Sequence, residues 1–157
     1  MIVRRAEEAD RPLVLEMCRH YRATTTYSRI LETLAPGASA DNYDLIFTLL
    51  LAQPLDKAAV LVADHGGELV GMIAAMVGPL LIIGRDYAEE LVWWVEPRYR
   101  NGTVGPRLLK AAEAWARSAD LLCLKLGAPV STEGAIVSAF YERSGYLPLE
   151  TSHVKVL

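Results

Sequence analysis

Cysteine is scarce in this chain: two residues in 157, Cys18 and Cys123. They form no Cys-x-x-Cys pair and stand beside no clustered histidines, which excludes a disulfide framework and a cysteine-built metal site. Both are expected to be buried free thiols, the usual state of an unpaired cysteine. No secretory leader is expected either. "MIVRRAEEADRP" has neither the apolar core nor the small-residue cleavage site of a secretory signal, and the longest apolar runs fall well short of a membrane span. The expectation is a cytoplasmic protein without a membrane partner. Basic charge is not in excess: 16 Lys and Arg against 19 Asp and Glu give a net charge of −3, so no general affinity for nucleic acid is expected. Linkers, low-complexity tracts and repeats are absent, and the length suits a single domain, residues 1–157, with a core of its own.

What is present is a change of period along the chain. "MIVRR" reads as a strand, and Asp10 with Pro12 as the start of a helix whose Leu13, Val14, Met17, Cys18 and Tyr21 face inward. Between Ala23 and Ala40 the periodicity weakens, as in a mobile loop. Asp41 is placed to cap a second helix with Leu45, Ile46, Leu49 and Leu50 as its apolar stripe, ended by Pro54. From Ala58 "AAVLVAD" and "LVGMIAAMV" form a hairpin about Gly66-Gly67, and Gly78-Pro79 is expected to break its second strand. "LLIIG" either extends that strand or makes one of its own. A strand over Tyr87–Glu96 precedes a helix with Val104, Leu108, Ala112, Trp115 and Ala116 on one face. "LLCLKLG" is apolar enough for a central parallel strand. Glu133 to Ser144 is a helix with Ile136, Val137 and Phe140 inward, stopped at Gly145. "YLPLE" and "HVKVL" close the chain as strands. The pattern is a mixed α/β domain in which an antiparallel meander feeds a right-handed β-α-β crossover.

Inside that crossover stands "EPRYRNGTVGPRLL". A helix N-terminus presents backbone N–H groups with no internal acceptor and about half a positive charge from the aligned peptide dipoles. Arginines and glycines just before it make an anion cradle. The letters exclude a triphosphatase P-loop, since Pro106 and Arg107 follow Gly105 where Lys and Ser/Thr are needed, and a dinucleotide fingerprint, since only Gly-x-x-Gly is present. An RNA-clamping Gly-x-x-Gly lacks the preceding strand. A coenzyme bearing a pyrophosphate remains.

The stretch "VEPRYRNGTVGPRLL" resembles the acetyl-coenzyme A motif of the GNAT superfamily of N-acetyltransferases. Val95 and Pro97 fall at its strand end, Arg100 at its Arg/Gln position, Gly105 at its final Gly, and Leu108 and Leu109 after it. Thr103 stands where the pattern has its first Gly, with Gly102 one place earlier. "AFYERSGYLPLE" is similar to the family's Phe-Tyr-Glu-x-x-Gly-Phe segment, and Gly134 occupies a place where members often have Asn. The resemblance implies an α/β (α+β) fold with a mixed, mostly antiparallel sheet of six to seven strands and about four flanking helices. It implies acetyl-CoA as co-substrate, no metal, and coenzyme contacts from Trp94, Val95, Arg100, Asn101, Gly102, Thr103, Val104, Gly105 and Pro106.

The implied reaction is direct attack of a primary amine on the thioester in a ternary complex. The amine, as an ammonium with a pKa of about 10, must first lose a proton. Members commonly use a carboxylate on the strand before the coenzyme motif. Glu89 and Glu90 both qualify, on opposite faces; Glu89, with the parity of Leu91, Trp93 and Val95, is preferred by its spacing to Arg100. A backbone N–H near Trp94 or Val95 would meet the oxyanion, and the resemblance gives Tyr141 the protonation of the departing thiolate. Trp93 and Trp94 point to opposite faces, one into the core and one toward the acceptor. Glu96 reads as a rim residue. The acceptor side, Tyr21 to Tyr43, has no dominating acidic cluster, which favours a small amine, an amino-acid derivative or a protein amine over a polycation. A homodimer is compatible with all of this. The alternative is a catalytically silent acyl-CoA-binding module of the same fold.

Overall fold

Extended segments at residues 2–5 and from residue 58 onward build one five-stranded sheet whose spatial order follows the chain. The computed structural model describes residues 1–25, 42–81, 83–153 and 155. The described residues fall into two compact units, 1–21 with 42–126, and 22–25 with 127–153. The strands are β1 (Ile2–Arg5), β2 (Ala58–His65), β3 (Glu68–Leu80), β4 (Arg85–Val95) and β5 (Leu124–Lys125). The first four pair antiparallel, and β5 is parallel to β4. The helices are α1 (Arg11–Thr24), α2 (Asn42–Ala52), α3 (Val104–Ser118) and α4 (Thr132–Arg143).

Both faces of the sheet in the first unit are covered. On one, Val14, Met17 and Cys18 of α1 and Phe47 and Leu50 of α2 pack on Val60, Val62, Met72, Ala74, Val92 and Trp94. On the other, Val104, Leu108 and Ala112 of α3 pack on Ala63, Val70 and Ile73, as their spacing predicts. Gly71 is what lets α3 lie so close. A Cβ there would meet the Trp94 carbonyl oxygen at 2.9 Å, Leu108 Cδ1 at 3.1 Å and Val104 Cγ1 at 3.2 Å.

Several expectations change. Five strands form among the described residues rather than six or seven. "YLPLE" has no strand: Pro148 carries no ladder N–H, and Leu147 and Leu149 are exposed. His153 and Lys155 of "HVKVL" are also outside any strand, and its remaining residues lie outside the description. β3 runs through Gly78-Pro79 instead of breaking there, because β2 pairs with β3 only as far as Met76. Pro79 therefore sits where β3 has β4 as its strand neighbour, and its missing N–H costs no bond toward β2. Leu81, Ile83 and Gly84 belong to the turn before β4, not to a further strand.

β5 is not a central strand: it is two residues long and ends the strand order. Cys123 beside it is exposed, against expectation, whereas Cys18 is buried. The α2 stripe differs in part: Leu50 is buried as expected and Phe47 with it, whereas Leu45, Ile46 and Leu49 are exposed. A helix rich in leucine all round carries little directional signal, so packing on the sheet rather than local pattern decides its rotation. In the second unit Ile136 of α4 is exposed, with Val137 and Phe140 half-buried. The expected loop lies outside the described residues from Thr26 onward, as does the Asp41 cap.

Candidate functional site

Where β4 ends, the chain turns through Pro97–Tyr99 and then through Arg100–Thr103 into α3. Asn101 takes the left-handed backbone conformation, φ 63°, which asparagine tolerates better than most residues. Thr103 has φ −93°, an ordinary value for threonine, so the departure from the family's glycine costs the backbone nothing at this position. Gly105 lies close to β4: a Cβ there would stand 3.3 Å from Trp93 Cζ2.

The loop leaves an anion seat open. None of the backbone hydrogen bonds outside regular elements uses the N–H of Gly102, Thr103, Val104 or Gly105. The Thr103 side chain makes no capping bond, and the first turn of α3 contains no acidic residue. At the start of α4, by contrast, the Ser131 hydroxyl accepts from Gly134 N–H at 3.0 Å. A cavity of about 350 Å³ adjoins the loop, lined by Arg98, Tyr99, Arg100, Gly102, Thr103 and Val104 together with Met1, His65 and Arg107.

Back along β4, the geometry is set by two features. The ladder to β5 comprises only Ala88–Leu124 and Glu89–Lys125, while β4 continues to Val95. Glu96 N–H donates to Val70 O at 3.0 Å, so by ladder alternation Trp94 directs its peptide groups to β3 and Val95 directs its own to the opposite edge. The Val95 carbonyl is found there, accepting from Arg100 Nε at 3.0 Å, with the Arg100 guanidinium 4.6 Å from the Trp94 ring centre. The second feature is a bulge. Ala74 pairs with Val92 and Ala75 with Glu90, which leaves Leu91 as the extra residue.

The bulge corrects the parity assumed for Glu89. Opposite Met76, it falls on the face of Val92 and Trp94, the side covered by α1 and α2, rather than with Trp93 and Val95. Glu90, opposite Ala75, is on the α3 side with Trp93. Glu89 accepts from the Tyr87 hydroxyl at 3.0 Å and pairs with Lys125 Nζ at 3.3 Å. The hydrogen bond to Glu89 raises the Tyr87 pKa above the ordinary phenol value, keeping its proton in place. Tyr87 and Lys125 were not singled out from sequence, although strand alternation puts residue 87 on the face of residue 89. Trp94 is the core tryptophan of the pair, 6% exposed, and its Nε1 donates to Glu96 Oε1 at 3.0 Å. Glu96 is therefore not a simple rim charge. The same oxygen lies 3.7 Å from His20 Nδ1, and the His20 ring is 5.8 Å from that of Trp94.

In the second unit, Tyr141 is buried and its hydroxyl donates to the Gly127 carbonyl at 3.0 Å. Its ring lies 6.2 Å from that of Phe140 and 5.9 Å from that of Tyr146. Gly134 is required by packing: a Cβ would run into the Pro129 carbonyl, so an asparagine does not fit. Among the described residues no cluster of metal-ligating side chains occurs, and no helix is long and apolar enough to cross a membrane.

The family model described as Acetyltransferase (GNAT) family matches residues 17–146. No curated protein matches the chain. Among solved structures the chain is similar to a transcriptional regulator from Bacillus halodurans C-125 (20% identity, TM-score 0.76, 99% of each chain covered). It is also similar to an aminoglycoside 6'-N-acetyltransferase from Acinetobacter haemolyticus (19%, TM-score 0.71, 100% of this chain and 98% of that one). A third is the ribosomal-protein-alanine N-acetyltransferase of Brucella melitensis biovar Abortus 2308 (18%, TM-score 0.70, 99% and 98%). These likenesses are of fold, and their printed roles differ from one another. The family match covers most of the chain, the loop before α3 included, and the chain accordingly belongs to the GNAT acetyltransferase family and is an acyltransferase.

Proposed function

We propose that residues 1–157 act as one domain that moves the acetyl group of acetyl-CoA to a primary amine by direct attack in a ternary complex. The observation that carries this reading is the edge of β4 beyond its two-pair ladder with β5, which leads to uncapped N–H groups at the start of α3. A pantetheine arm has amides that suit a strand edge, and a diphosphate suits the helix terminus. The family uses acetyl-CoA as co-substrate. Arg100, now folded onto Trp94 and the Val95 carbonyl, would leave that edge when the arm binds.

Glu89 is the proposed base, relaying the ammonium proton directly or through water. Its support is the face it occupies: the bulge at Leu91 puts it on the side of α1 and α2, where the acceptor is expected. Oxyanion stabilisation is assigned to a backbone N–H on the open edge, at Val95, and thiolate protonation to the Tyr141 hydroxyl, which is a hydrogen-bond donor in its own unit. The acceptor is an amine of a small molecule or a protein. Aminoglycosides and ribosomal alanine termini, named for two neighbours, both enter the panel.

The test is acceptor-dependent release of CoA thiol across that panel. Turnover with any amine, lost in Glu89→Gln and retained in Glu90→Gln, is the expected result. Tight coenzyme binding with no acceptor-dependent release for any amine would leave the silent-module reading standing instead.

A further inference from the structure

The cavity beside the coenzyme loop has more positive charge than a diphosphate cradle needs. Arg98, Arg100 and Arg107 line it together with His65 from the end of β2, and no carboxylate is part of its wall. Glu68 offsets one of these charges from outside the wall by pairing with Arg98, and it also accepts from the Tyr99 hydroxyl at 3.1 Å. Arg107 donates from Nη1 to the Met1 carbonyl at 3.1 Å, which orients the guanidinium without cancelling its charge. The His65 ring lies 6.0 Å from that of Tyr99. In a chain of net charge −3 this concentration is local, not a background excess.

Coenzyme A has three phosphates, two in its diphosphate bridge and one as a monoester on the ribose 3' carbon. Peptide N–H groups and the dipole of α3 account for the bridge. A doubly charged monoester is matched by guanidinium and imidazole donors. We infer that the cavity binds the ribose 3'-phosphate through Arg107 and His65, with Arg98 also in its wall, so that the protein distinguishes acetyl-CoA from acetyl-dephospho-CoA. This rests on the coenzyme reading above and adds to it a set of side chains that select the nucleotide.

Calorimetric titration of the full chain with each nucleotide, without acceptor, tests it. The expected result is acetyl-CoA binding at least about tenfold tighter, the scale of one charge-assisted hydrogen bond. In Arg107→Gln, and separately in His65→Gln, that ratio falls toward one through weaker acetyl-CoA binding, while the dephospho compound binds as before. Equal affinities in the wild type overturn the inference and leave the coenzyme reading intact. Equal weakening of both nucleotides in a variant overturns it too, since the side chain then serves the bridge or the fold. Absence of binding by either nucleotide to the wild type overturns both readings.

Discussion

Individual side chains here behave according to what surrounds them. Cys18 and Cys123 share a chemistry and differ in setting. Burial pushes the Cys18 thiol up to about 11, with its sulfur 4.0 Å from Met72 Sδ, while Cys123 is exposed. Thiol labelling at neutral pH is therefore expected to modify Cys123 alone in the native protein and Cys18 only after denaturation, since the thiolate is the reactive form. Native labelling of both would contradict the burial. Gly71 is closely bounded by the core, and Gly71→Ala is expected to cost about 1–3 kcal/mol. The reason is that two of its neighbours, Leu108 and Val104, are themselves packed core, and the third is a backbone oxygen. Urea unfolding of the variant reads this directly, and an unchanged midpoint would mean that β3 and α3 can separate without loss. Neither outcome was legible in the letters. Cysteine identity says nothing of depth, and a lone glycine in a strand says only that something comes near.

At the scale of elements, local pattern succeeded where one face is apolar and failed where it is apolar all round or where partners decide. The hairpin of β2 and β3 and the inward face of α3 follow from period alone. The rotation of α2, the shortness of β5 and the continuation of β3 through Pro79 do not, because each depends on which neighbour lies alongside. Helix starts separate the same way. Ser131 caps α4, so Ser131→Ala is expected to cost about 1 kcal/mol. Thr103 makes no such bond at α3, and Thr103→Ala is expected to change stability by less than about 0.5 kcal/mol. Thermal unfolding of the two variants checks the difference, and equal losses would indicate a cap at α3 and hence no open anion seat. The loop before α3 was readable because its composition is tied to a helix terminus. The bulge at Leu91 was not, and it alone decides which face Glu89 occupies.

For the molecule as a whole, stability should respond to acid through the Arg4 cluster that ties β1 to the turn before α1 and to β2. Arg4 donates to Asp10 at 2.7 and 2.9 Å and pairs with Asp64 at 3.3 Å. The bond from Arg4 holds the Asp10 carboxyl below the usual carboxylate range. A carboxyl lowered by folding contributes stability that is complete above its unfolded pKa, about 3.9. That contribution is lost as pH falls from there through the lower folded value. Urea midpoints between neutral pH and pH 3 should therefore fall more steeply for the wild type than for Asp10→Asn, and parallel curves would rule out this linkage. What the sequence determined by itself was whatever depends on neighbours along the chain: the period of each long element, the hairpin turn, and the coupling of Arg100, Gly102 and Gly105 to a helix start. Only tertiary structure decided the depth of each thiol, the number of strands, the partners of Glu89 and Glu96, and the gathering of His65 and Arg107 beside the loop. Those depend on pairing and register between segments far apart in the chain, and no local pattern encodes them.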